Sequence, residues 1–236
     1  HERPRYERIV VQRAKREYAL TRVLLRRLLS RYARVPVESW RFGENEHGRP
    51  HVENPALAAK LDFNLSHTAG RIACLVGRER VLGVDVEAAD RVRRTLDIAE
   101  RFFSPIEAAA LRARPQSEQS DRFLAYWTLK EAYIKAKGMG LALPLHHFSF
   151  HLNEGEVEEG ASNESVRISF APQLDDDPQR WRFIRLRPSP RHQLAIALQR
   201  RAEEESWPTL RQHDALPLLL DRGDRPLEVV AAGLGL

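Results

Sequence analysis

The chain has 236 residues, of which 42% are hydrophobic and 30% charged, with a net charge of +5. Its one cysteine, Cys74, excludes an internal disulfide and a cysteine-rich zinc site, and reads as a protein of a reducing compartment, the cytoplasm. No apolar run approaches the roughly 20 residues that span a bilayer, and no signal peptide opens the chain, which begins at His1 as a trimmed fragment does.

The charge is uneven. Residues 1–34 hold eleven Arg or Lys against Glu2, Glu7 and Glu17, so this segment carries +8 and the remainder −3. Such a segment suits a polyanion, or else is a solvated helix face. Residues 15–34 have Leu20, Val23, Leu24, Leu28 and Leu29 at helical spacing, with Pro36 ending the helix. Residues 41–61 are rich in turn formers. Strands are predicted at Asp62–Ser66, Arg71–Val76 and Val81–Glu87. Residues 95–112 are predicted helical, with Ser104-Pro-Ile-Glu107 matching a capping box. A polar loop over 113–120 leads to a helix over Asp121–Lys137, capped by Gly138. The period then changes to two at Val166–Phe170, Trp181–Leu186 and Leu194–Leu198, an antiparallel pattern. Residues 154–164 read as an acidic loop or a weak hairpin. This order predicts an α+β fold of two similar halves, 1–84 and 85–204, with 205–236 as an extension.

Three stretches carry chemistry. In Val81-Leu-Gly-Val-Asp-Val-Glu87, strand alternation places Leu82, Val84 and Val86 on one face and Gly83, Asp85 and Glu87 on the other. Two carboxylates about 7 Å apart repel unless a cation lies between or beside them, and oxygen-only ligands suit magnesium. Read alone, the pair fits an exposed strand face better than a metal site. In the helix, Trp127, Glu131 and Lys135 recur every four residues, either as a surface ion pair or as a metal ligand or base with a phosphate-binding lysine; Lys130 lies on an adjacent face. In Phe63-Asn-Leu-Ser-His-Thr68, Ser66 and His67 diverge, which argues against a nucleophilic serine. Asp175-Asp-Asp177 precedes Pro178 and reads as a turn, and His146-His147 has no acid at ligand spacing.

Together Asn64-Leu-Ser-His-Thr68, Gly83-Val-Asp-Val-Glu87 and Trp127-x-x-Lys-Glu-Ala-Tyr-x-Lys-Ala-x-Gly138, in this order, closely resemble the 4′-phosphopantetheinyl transferases, in their larger pseudodimeric class. Gly48-Arg-Pro50 and Arg101-Phe-Phe-Ser-Pro-x-Glu107 extend the resemblance over about residues 10–200. It implies two α/β halves related by a pseudo-twofold axis, each with a helix on an antiparallel sheet, and coenzyme A in the cleft between them. It implies transfer of the phosphopantetheine arm to a serine of an apo acyl or peptidyl carrier protein, with release of 3′,5′-ADP. By matching positions, Asp85, Glu87 and Glu131 would hold Mg²⁺. Glu131 would take the serine proton, and Lys135 would contact phosphate. His67, Ser66, Arg49 and, at the helix start, Lys15 or Arg16 would bind coenzyme A. The resemblance implies that the chain begins after the family's first strand. A monomer is implied, with no membrane partner. A nucleic-acid partner is the rival reading, weakened by the lack of any recognised DNA- or RNA-binding motif.

Overall fold

The computed structural model describes residues 2–54, 60–89, 95–152, 162–163, 166–202, 204, 206–213 and 232–234. The fold is α+β, mixing helices with mainly antiparallel sheets. Helix α1, Glu2–Arg8, leads into α2, Gln12–Ala33. Arg34 ends α2 in the left-handed conformation, two residues before Pro36. The buried stripe of α2 is Thr21, Leu24, Leu25, Leu28 and Leu29; Leu20 and Val23 are exposed. The helical period was legible, but the face is rotated from the expected one because Leu25, not Leu20, meets Trp40, Phe42 and Phe63 in the core. Each such leucine contributes about 1.5–3 kcal/mol.

The turn-rich stretch closes as a short hairpin, β1 Phe42–Glu44 and β2 Pro50–Val52. Strands β3, Leu61–Thr68, and β4, Arg71–Arg78, pair antiparallel in full register. Strand β5, Leu82–Ala88, follows. Two helices, α3 Thr95–Phe102 and α4 Pro105–Arg112, flank the Ser104 cap, whose box with Glu107 forms as expected. Helix α5 spans Gln116–Lys137. It starts five residues before the predicted Asp121, because Pro115 serves as its N-cap and ends the preceding turn. Gly138 caps α5 with φ +67°. Strand β6, Phe148–Leu152, escaped the sequence reading, although Phe148 and Phe150 alternate into the core. It pairs with β8, Val166–Phe170, after the short β7, Ser162–Asn163. Strands β9, Trp181–Ser189, and β10, His192–Gln199, complete a sheet in the order β5-β10-β9-β7. Strand β11, Leu210–Arg211, and β12, Ala232–Leu234, extend the β4-β3 sheet. Most of the expected acidic loop over 154–164 lies outside the described residues.

Three cores result. One gathers α2 and the hairpin against β3 and β4; one packs α5 on β9, β10 and β6; the third places Leu75 of β4 against Leu82, Val84, Val86, Ile184 and Ile196. Leu82, Val84 and Val86 thus share the buried face that alternation assigned them.

Candidate functional site

The site forms where β3, β5 and α5 meet. Strand β3 lies beside β5 through side chains: Asn64 Oδ1 accepts from Val84 N at 2.9 Å, Ser66 Oγ from Val86 N at 3.2 Å, and Thr68 Oγ1 donates to Glu87 at 3.3 Å. The constant offset of about twenty residues makes the alignment parallel. Asn64 and Ser66 are buried, and each replaces a ladder carbonyl. This explains their place in the Asn64–Thr68 motif, and Asn64 is a residue that the sequence reading passed over.

Helix α5 crosses the other face of β5 at close range. A Cβ on Gly83 would lie 2.0 Å from Ala132 O and 2.6 Å from Ala136 N. Any side chain there would lift the helix off the strand. The contact brings Lys135 Nζ to 2.6 Å from Asp85 Oδ1 and 3.0 Å from Ser66 Oγ, while Ser66 Oγ donates to Asp85 Oδ1 at 2.8 Å. Lys135 therefore places a cation beside Asp85. Asp85 Oδ2 is sealed from solvent without a hydrogen-bond partner.

Glu131 lies one turn before Lys135. Its carboxyl is pushed up to about 7, first by burial, then by the charges of Asp85 and Glu87, against the opposing pull of Lys135. Asp85, Glu87 and Glu131 are thus close enough to feel one another. Among the described residues, however, no three His, Cys, Asp or Glu side chains are gathered within reach of one metal ion. The donor set is oxygen-only and one buried carboxylate oxygen is orphaned, a chemistry that fits a hard divalent cation.

A cleft of about 240 Å³ opens over this group, lined by His47, Arg49, Asn64, Glu131, Ile134 and Lys135, among others. Its wall is the 45–49 turn docked on the end of α5. Asn45 Nδ2 donates to Gly138 O at 2.9 Å, and its Oδ1 accepts from the amides of His47 and Arg49. Arg49 donates to Ala136 O and, at 3.2 Å, to Leu82 O. The last carbonyls of α5 are thereby satisfied from the other side of the cleft. Burial lowers the Arg49 pKa. A larger cavity of about 320 Å³, on the far side of Arg49, contains neither Asp85 nor Glu131.

The remaining expected ligand contacts stand apart from this cluster. His67 is exposed and does not line the cleft. Lys15 stacks over the Tyr6 ring at 4.6 Å and Arg16 is exposed on α2; neither lines the cleft. Lys130, on the neighbouring helix face, is fully buried. Its Nζ sits 2.8 Å from Glu107, and it donates to Leu145 O and Phe148 O at 2.7 and 2.8 Å. The Asp175–Asp177 run, expected as a turn, is irregular and leads into a single 3-10 turn at Pro178–Arg180 with Asp177 as its N-cap, and Asp176 anchors Tyr133, Lys137 and Trp181. Cys74 is buried, its thiol pushed up to about 12, and is no nucleophile. Among the described residues, no helix is long and apolar enough to cross a membrane.

Comparisons with known proteins agree with this geometry. Residues 81–199 match the 4′-phosphopantetheinyl transferase superfamily, and residues 1–80 match the family described as 4′-phosphopantetheinyl transferase, N-terminal. The chain is 42% identical over 113 residues to a 4′-phosphopantetheinyl transferase of Bacillus subtilis, covering 48% of each chain. It is 36% identical over 136 residues to 4′-phosphopantetheinyl transferase Sfp of Bacillus subtilis strain 168, covering 57% of this chain and 58% of that one. It is 30% identical over 156 residues to 4′-phosphopantetheinyl transferase gsp of Aneurinibacillus migulanus, covering 66% and 62%. The chain thus spans about half to three fifths of the length of these relatives. With a family model over half its length, the chain belongs to the 4′-phosphopantetheinyl transferase superfamily.

Proposed function

We propose that this protein transfers the 4′-phosphopantetheine arm of coenzyme A to a serine of an apo carrier protein, releasing 3′,5′-ADP. The observation that carries the reading is one cleft edged by Glu131, Lys135 and, beneath Lys135, Asp85. A carboxyl held near 7 is matched to accepting a proton at neutral pH. Glu131 takes the proton of the carrier serine as its oxygen bonds to the pantetheine-side phosphorus. The bond from that phosphorus to the oxygen of the departing ADP breaks. The Lys135 ammonium, oriented by Asp85 and Ser66, faces the negative charge gathering on that oxygen. Asp85, Glu87 and Glu131 would hold Mg²⁺, which when bound neutralises pyrophosphate charge. Arg49 and His47 line the same opening and offer cationic or hydrogen-bonding contacts to a phosphate-rich ligand. His67, Lys15 and Arg16 are proposed as outer contacts. The reading includes two halves related by a pseudo-twofold axis, a monomer, and a cytoplasmic setting.

The test is mass spectrometry of an apo carrier protein incubated with coenzyme A, the chain and Mg²⁺. The carrier should gain the mass of the phosphopantetheine arm only when all three are present. A carrier left unmodified, with coenzyme A unbound by calorimetry, would refute the assignment.

A further inference from the structure

A second charged cluster lies away from the cleft. On β9, alternation sends Trp181, Phe183, Arg185 and Arg187 to the α5 face of the sheet. Trp181 and Phe183 enter the core there; Arg185 and Arg187 continue the row toward the sheet's edge. Arg185 is 6% exposed. Its backbone neighbour across the sheet is Ala195, whose other neighbour is Asp85. Two strand spacings, about 10 Å, therefore separate Arg185 from the acids of the cleft.

The charges around Arg185 do not balance. The ionisable groups whose fields reach it are Arg122, Arg187, Asp121 and Tyr126. Asp121 is the one acid among them, and it is bonded to Arg187 at 3.1 Å. The main-chain carbonyl of Asp121 accepts from Gln193 at 2.9 Å, so this corner is held in place. Three guanidinium groups thus share one carboxylate, and the most buried of them makes no hydrogen bond among the described residues. The Arg185 pKa falls to about 10, through burial first and then repulsion from Arg122. A cation that burial and neighbouring like charge both disfavour is relieved when a group of opposite charge arrives.

We infer that Arg122, Arg185 and Arg187 form a binding site for a phosphate-type dianion, separate from the catalytic cleft. Among the described residues, the local excess of two positive charges matches a dianion. Planar guanidinium forks suit the paired oxygens of phosphate, and charge-assisted contacts of this kind are the strong ones. Free phosphate and a phosphomonoester on a partner protein share this chemistry. The inference does not rest on the transfer reaction, and it uses no residue assigned to it.

The test follows thermal unfolding of the full chain in phosphate-free buffer while inorganic phosphate is added at constant ionic strength. Phosphate should raise the midpoint of the wild-type chain, as any ligand selective for the folded state does. In Arg185→Met its affinity should fall at least about tenfold. Without phosphate, Arg185→Met should unfold no earlier than wild type, an order that an arginine with a purely structural role would reverse. Should that variant fail to fold, the double variant Arg122→Gln/Arg187→Gln, at half-buried positions, must show the same loss of affinity. Lys135→Met must keep the phosphate response. Loss of the response there, with retention in Arg185→Met, would place phosphate in the cleft and overturn the inference. Equal stabilisation by acetate would overturn the dianion. Displacement by O-phosphoserine amide would identify a phosphorylated partner as the source, and its failure to displace, free phosphate; both outcomes support the site.

Discussion

Two of the lysines of helix α5, Lys130 and Lys135, lie five residues apart and live in opposite conditions. Lys130 and its partner Glu107 are both 0% exposed, and their valences are filled. Glu107 also accepts from Ser104 N at 3.0 Å and Phe150 N at 2.9 Å; Lys130 spends its other protons on two carbonyls. Lys135 is 27% exposed at a cleft edge, and its partner Asp85 keeps one oxygen without a bond. A carboxylate–ammonium pair closed on all sides can only hold structure. The same pair with one open valence can exchange partners, which ligand binding requires. The difference between them is one of satisfaction, since both pairs have N–O distances of 2.6–2.8 Å.

The closed pair should show the largest effect on stability. Lys130→Met leaves Glu107 charged and buried without a cation, and should cost about 3–5 kcal/mol. Adding Glu107→Gln, which removes the charge and keeps one of the two oxygens that accept from amides, should recover part of that loss. Urea unfolding of both variants is the measurement. A single-variant loss under about 1 kcal/mol would mean that the pair is not closed.

The open group should show its effect in rate. Glu131→Gln keeps the shape and removes the basicity, so transfer should fall by a factor on the order of 10² or more. Its folding stability should match wild type or exceed it, because a buried carboxyl crowded by Asp85 and Glu87 is removed. Single-turnover transfer and urea unfolding on the same preparation separate the two. A stability loss equal to that of Lys130→Met would erase the distinction between the pairs.

This contrast marks the limit of what the sequence could tell. Local periods were legible: alternation in Val81–Glu87 assigned both faces of β5, and the fourfold recurrence of Glu131 and Lys135 put them on one stripe. Spacing alone cannot say which stripe meets a cavity and which meets a core. Lys130 therefore read as a second cation on an adjacent face, and only its contact with Glu107, 23 residues earlier in the chain, reveals its burial. Asn64 and Ser66 lie two residues apart and so share one strand face, but their role as substitute carbonyls depends on β5 arriving alongside. The rotation of the α2 stripe and the loss of β6 have the same origin. Leu20 and Leu25 are equally apolar, and the Leu143-Pro144 break hid the alternation that begins at Phe148.

A third acid sharpens the comparison with respect to pH. Burial works to raise the Asp176 carboxyl, but hydrogen bonds from Trp181, Tyr133 and Lys137 outweigh it and the net shift is downward. A depressed folded-state value means stability that is complete above the ordinary carboxylate pKa of about 3.9 and is lost as pH falls through the lower folded value. Asp176→Asn should lower stability at pH 7 by about 1–3 kcal/mol and flatten the acid limb of the stability–pH curve. Denaturant midpoints from pH 7 down to pH 2 test this. Parallel curves for the two proteins would remove Asp176 from the acid response.

Between the closed and open pairs stands Arg80 with Glu204, and it should give the smallest effect. Arg80 is 8% exposed, and both its terminal nitrogens reach the Glu204 carboxylate, one at 2.9 Å. It also donates to Gln199 O at 3.2 Å, while its amide donates to Asp62 at 2.7 Å. The pair ties the segment after β10 to the β4–β5 turn, beside Trp207 and Leu210, which pack on the third core. Glu204 itself is 16% exposed, and Arg201 contacts it as well, so water and a second cation soften any loss. Glu204→Gln keeps the length of the side chain and one acceptor oxygen. It should cost about 0.5–1.5 kcal/mol, well below Lys130→Met, because Arg80 retains its carbonyl bond and partial access to solvent. Arg80's hold on Gln199 should let transfer activity stay near wild type. A cost of 3 kcal/mol or more would place this pair with Glu107–Lys130 as a closed one. A tenfold loss of transfer at unchanged stability would show instead that the turn carrying Arg80 is coupled to the cleft through Arg49, which lines the cavities on both of its sides.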